Sequence, residues 1–184
     1  MRMAKKQVVV IGLGRFGSSL ARTLTELGHE VLGLDRDLRK VEDIAEAVTQ
    51  AAQVDATDED ALREMGVRNF DIGVVAIGTD VKSSILVTLL LKRLGVEMVI
   101  SKAQDDLHGE ILERVGADRV VYPERETGVR VAHGIATPNV VDYLEVMRGY
   151  GIAKLVAPPA FEGRELGQLD LKARYGLTTL VLQR

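Results

Sequence analysis

The chain has no cysteine among its 184 residues, which excludes disulfides and thiolate chemistry, whether nucleophilic or metal-ligating. It also lacks a basic excess. Twenty-seven acidic residues outweigh 24 Lys and Arg, for a net charge of -3 and a pI near 5.7. Nucleic-acid phosphates need a basic face, so nucleic acid is not an expected partner. Long apolar runs are absent too. The most apolar segment, 84–91, is too short to span a bilayer. Residues 1–7 are polar and basic, unlike a signal peptide. A cytoplasmic protein is expected. There is no internal repeat and no low-complexity tract.

Catalytic groupings are missing as well. The three histidines fall in a helix-to-strand turn (His29), at the start of a surface helix (His108) and in a helix beyond the sheet (His133). None falls where a proton donor for hydride transfer would stand. No Ser-Tyr-Lys cluster and no metal-ligand spacing is present. An oxidoreductase is therefore the weaker reading, and a pocket that reads a nucleotide is the stronger one.

What is there is a β-α-β rhythm. Apolar runs over 8–12, 30–35, 51–54, 71–78, 97–102 and 118–123 read as strands. They do not alternate with polar residues, which points to a parallel sheet covered on both faces. Helical patterns lie between them at 16–27, 38–47, 59–65, 81–94 and 107–115, four of them followed by Gly28, Gly66, Gly95 and Gly116. The expected fold is α/β: a Rossmann-like, doubly wound parallel sheet. Residues 1–138 would hold this domain and a crossover helix over 124–136. Residues 139–184 would hold a linker helix at 139–147, strands at 150–157 and 177–182, a helix at 169–175, and so the opening of an incomplete α+β lobe.

Gly12, Gly14 and Gly17 form G-x-G-x-x-G between the first strand and the first helix. The first allows a tight turn, the second lets backbone approach a pyrophosphate, and the third lets helix pack on strand. The helix start, at Arg15 and Phe16, then offers free N–H groups to phosphate. Asp35 ends the second strand, where a carboxylate accepts from ribose hydroxyls. Arg36 suits stacking on adenine or a 2′-phosphate, or else is a solvated charge at a helix start. Asp55, with Ala56, suits the adenine amino group, or else caps a helix. Ala76, Ile77 and Gly78 close the fourth strand with small residues facing the ligand. Lys102 ends the fifth, suited to phosphate or ribose, or else lies on the surface. The run 85–91 is apolar on every side of its helix, more than a sheet-covering stripe needs, which predicts a second partner.

The segments VIGLGRFG, LDRD, VDATDEDALREMGVRNFD, VVAIGTD, ISKAQD and LERVGADRVVYPE resemble the RCK (KTN) domains of bacterial potassium-uptake regulators. The likeness is greatest to the KtrA type, with TrkA and RCK channel domains as relatives. It covers essentially the whole chain. It implies ATP or ADP in the Rossmann lobe, with NAD(H) as the alternative. It implies homodimers assembling into an octameric ring beneath a membrane-embedded potassium-translocating subunit, at the inner face of the membrane. Arg15 matches the arginine that reaches the terminal phosphate of the neighbouring subunit. Glu124 matches the acidic residue that helps hold a divalent cation, Mg²⁺ or Ca²⁺, at the dimer interface. The tail from Gly163 to Gly176 is similar to the start of the family's C-terminal lobe, where some relatives bind a cyclic dinucleotide. No such site is expected here.

Overall fold

Val8, Val9, Val10 and Ile11 are all buried, so both faces of the first strand must be covered. In the computed structural model, which describes residues 4–147 and 149–182, that strand is central in a six-stranded parallel sheet. The strands are β1 (Gln7–Ile11), β2 (Glu30–Asp35), β3 (Gln50–Gln53), β4 (Ile72–Val75), β5 (Met98–Lys102) and β6 (Arg119–Val121), in the order β3-β2-β1-β4-β5-β6. Side chains alternate across a strand. Val8 and Val10 therefore join one apolar layer, with Val31, Val74, Ala21, Val41 and Ile44. Val9 and Ile11 join the opposite layer, with Leu34, Val75, Leu62, Val87 and Leu91.

Helices α1 (Arg15–Glu26) and α2 (Leu38–Ile44) supply the first layer, and α3 (Glu59–Glu64) and α4 (Val81–Arg93) the second. α5 (Asp106–Arg114) connects β5 to β6. The expected Rossmann-like fold is the observed one. Each predicted strand of the sheet and each helix between them is present, with ends shifted by a few residues.

Contacts divide the chain into two units, 1–124 and 125–184. α6 (Pro123–Ala136) begins at the end of the first. Two expectations fail in the second unit. The segment expected as a linker helix is instead strand β7 (Val140–Met147), paired antiparallel with β8 (Tyr150–Leu155). Val140, Val141, Tyr143 and Val146 favour extended backbone, and Gly149 turns the chain back with φ +82°. A local hairpin with Leu144 opposite Ile152 outcompetes the helical spacing. The strand expected over 177–182 is not formed either. A strand needs a ladder partner, and Leu180, Val181 and Leu182 lie exposed without one among the described residues. α7 (Leu171–Tyr175) is present.

The apolar run in α4 is mostly accounted for inside the first unit. Val87, Leu90 and Leu91 are buried, Ile85 and Leu86 half-buried, and only Leu89 is exposed, at 37%. Its surplus is smaller than the sequence suggested, because α4 packs on β4, β5 and α5 together. No helix of the described residues is long and apolar enough to cross a membrane.

Candidate functional site

All six strands run the same way, so their carboxyl ends share one edge. The strand order reverses between β1 and β4, and a crevice opens there. It is a cleft of about 460 Å³, within the usual range for a small-molecule site. The first unit alone forms it.

At its floor is the glycine turn. Gly12 takes φ +95°, and a Cβ there would lie 3.0 Å from the Ala76 carbonyl carbon. Gly17 packs helix on strand: a Cβ would fall on the Gly12 carbonyl oxygen. Gly14 differs, with nothing within 4 Å of the place a Cβ would take. That open space faces the cleft.

Gly14 is also the N-cap of α1, and no side chain caps it. The other sheet helices are capped by aspartates: Asp37 on α2, Asp58 on α3, Asp80 on α4 and Asp105 on α5. The first turn of α1 carries no acidic residue. Its N–H groups and positive dipole end are thus left for an anion.

Asp35, 7% exposed, ties the cleft together. Its Oδ2 accepts from the Leu13 N–H at 2.7 Å and lies 3.5 Å from Lys40 Nζ, while Oδ1 accepts from the Asp37 N–H at 2.9 Å. A carboxylate has about four acceptor sites, so capacity remains for a hydroxyl. Asp55 is not the cap of α3, a role Asp58 fills. Its Oδ1 instead accepts from the Thr57 N–H at 3.0 Å and hydroxyl at 2.6 Å, which holds its carboxyl below the usual Asp range. Asp80, across the cleft, is lowered by the Ser83 hydroxyl and N–H. Arg36 contributes its positive charge to both carboxylates.

Lys102, 9% exposed, is not a surface lysine. Its Nζ lies 2.5 Å from Glu124 Oε1 and 5.9 Å from the centre of the Phe16 ring. That lysine holds the Glu124 carboxyl below the usual Glu range, with Arg15 adding a smaller share.

The structure thus gathers Gly12, Gly14, Arg15, Phe16, Asp35, Arg36, Asp55, Ala56, Ala76, Ile77, Gly78, Lys102 and Glu124 around one cleft. Gly17 does not line it and acts through packing alone. Lys40 and Ser83 line it and were not foreseen. Lys40 follows Asp35 by five residues, and only the turn into α2 brings it back over that carboxylate. Among the described residues no three His, Cys, Asp or Glu side chains converge as a metal site. Glu124 is already engaged by Lys102.

A six-stranded parallel sheet with a glycine turn at its switch point defines a Rossmann-like domain. Residues 8–123 match the TrkA-N domain. The chain is 44% identical over 180 residues to Ktr system potassium uptake protein C of Bacillus subtilis (strain 168), spanning 98% of this chain and 81% of that protein. It is 40% identical over 182 residues to Ktr system potassium uptake protein A of the same organism, spanning 99% and 82%. The chain belongs to the TrkA-N family, as a member of its Ktr potassium-uptake type. The solved GsuK channel bound to NAD shares the fold, with a TM-score of 0.68 at 17% identity over 94% of this chain and 32% of that one.

Proposed function

We propose that this chain is the nucleotide-sensing regulatory subunit of a membrane potassium-uptake system, binding ATP or ADP in the cleft. The observation that carries the reading is the uncapped start of α1 above the open face of Gly14, with Asp35 beside it, in a chain 44% identical to a Ktr potassium uptake protein. The pyrophosphate lies on the glycine turn and the N–H groups of α1. Asp35 takes ribose hydroxyls, Asp55 the adenine amino group, and Arg36 covers the base. Lys102 meets the outer phosphates, and Arg15, at the rim, reaches the terminal phosphate held by the neighbouring copy.

Among the described residues the cleft lining holds no histidine, cysteine or tyrosine. The chain dimerises, and dimers assemble into an octameric ring on the cytoplasmic face of a potassium-translocating membrane subunit. Exposed Val129, Val131 and Ile135 on α6, with Leu89 on α4, support such contacts between copies. ATP and ADP favour different ring shapes. Each shifts the equilibrium only by its differential affinity, about 1–3 kcal/mol per site. A divalent cation, Mg²⁺ or Ca²⁺, is shared between Glu124, phosphate oxygens and the neighbouring copy.

Calorimetric titration with ATP, ADP, NAD⁺ and NADH tests this reading. Low-micromolar adenine nucleotide binding, with a cation-dependent preference for ATP, is the expected result. Clear preference for NADH would replace it with an NAD(H)-binding redox sensor.

A further inference from the structure

Lys102 Nζ approaches the cleft past Gly78, where a Cβ would sit 3.0 Å from Nζ and 3.6 Å from Cε. Phe16, beneath the ammonium, belongs to the uncapped first turn of α1. The ammonium and the free N–H groups of that turn therefore serve the same part of the cleft. Lys102 and Glu124 are unequal partners. The lysine side chain is 11% exposed and the glutamate side chain 70%. A buried ammonium left without an anion is costly, whereas a carboxylate moving from a rim into water is not.

We propose that Lys102 is a shared cation that serves Glu124 when the cleft is free and the outermost phosphate of a bound nucleotide when it is filled, so that Glu124 acts as a built-in competitor of that phosphate. The inference rests on the nucleotide reading above. A phosphate arriving at Lys102 brings a second anion beside Glu124, and the two repel. The exposed carboxylate is the one that leaves Lys102, and it is then available to the cation proposed above when one is present. A ligand whose phosphates stop short of Lys102 leaves the pair intact. A ligand that reaches it must break the pair, so Glu124 sets how strongly phosphate chain length is felt.

The test is calorimetric binding of ATP and ADP to the full chain in EDTA, so that no cation bridges the anions. Wild type is compared with Glu124→Gln, Lys102→Met and the double variant. Removing the competitor in Glu124→Gln tightens ATP by roughly fivefold. Lys102→Met weakens ATP more than ADP, and in that background Glu124→Gln adds nothing. Unchanged ATP affinity in Glu124→Gln would overturn the proposal. So would tightening that persists without Lys102, since that reports long-range charge rather than a shared lysine. Glu124 is exposed and its variant leaves the core untouched, so this arm stands even if Lys102→Met folds poorly. Failure of wild type to bind either nucleotide, with Mg²⁺ restored as well as in EDTA, would overturn the nucleotide reading itself.

Discussion

Asp35 Oδ2 accepts a hydrogen bond from the Leu13 N–H at 2.7 Å, joining the end of β2 to the glycine turn after β1. The same carboxylate holds the Asp37 N–H with its other oxygen. It therefore shapes the cleft as well as facing it. Asp35→Asn leaves one acceptor atom for two N–H donors and turns an amide donor toward one of them. The expected loss is about 1–3 kcal/mol of stability, read by urea denaturation. Nucleotide affinity should fall at least about tenfold, because both the hydroxyl acceptor and the turn are disturbed.

Gly14 and Gly17 separate binding from folding. A Cβ at Gly17 collides with the Gly12 carbonyl oxygen, so Gly17→Ala must shift backbone, at a cost of about 1–3 kcal/mol or more. A Cβ at Gly14 meets nothing, so Gly14→Ala costs stability only as a poorer cap, about 1 kcal/mol or less. That methyl fills the space proposed for phosphate. The expected result is a near-normal melting curve with adenine nucleotide affinity lost, checked by calorimetry on the same sample.

Arg15 is exposed at the rim and adds to the positive field on Glu124. Under the proposed function it reaches the terminal phosphate held by the neighbouring copy. Arg15→Ala should keep nucleotide binding and narrow the preference for ATP over ADP. A preference that survives intact would remove Arg15 from that role.

His108 gives a pH dependence whose sign follows from its burial. It is 3% exposed, its Nδ1 accepts from the Gln104 N–H at 3.3 Å, and its Nε2 has no partner among the described residues. Burial pushes its pKa below the ordinary 6.5, against a smaller pull upward from Asp105. The unfolded chain therefore takes up the proton first. The stabilising contribution is complete above the ordinary value and is lost as pH falls from 6.5 through the lower folded value. Thermal midpoints should drop over that window, and His108→Gln should remove most of the slope.

Leu91 is 0% exposed and rests on the bare backbone of Gly73, where a Cβ would come within 2.8 Å of Leu91 Cδ1. Leu91→Ala opens a cavity under α4 and should cost about 2–5 kcal/mol in denaturant titration. Gly73→Ala should destabilise from the other side of the same contact, by overpacking.

The sequence by itself determined the sheet, its parallel sense and the place of the glycine turn. Continuous apolar strands, helix-ending glycines and G-x-G-x-x-G are local patterns, and each has one good structural solution. Six motifs in order also carried the family. Tertiary structure alone decided which hydrogen bonds the site residues make. That Asp35 braces the glycine turn, that Lys40 folds back over it, and that Lys102 is buried against Glu124 depend on residues five to 22 positions apart meeting in space. The second unit misled for a related reason. Spacing over 139–147 fits a helix as readily as a strand, and only the partner strand across Gly149 resolves it. A strand's stability lies in its ladder, which no single segment contains.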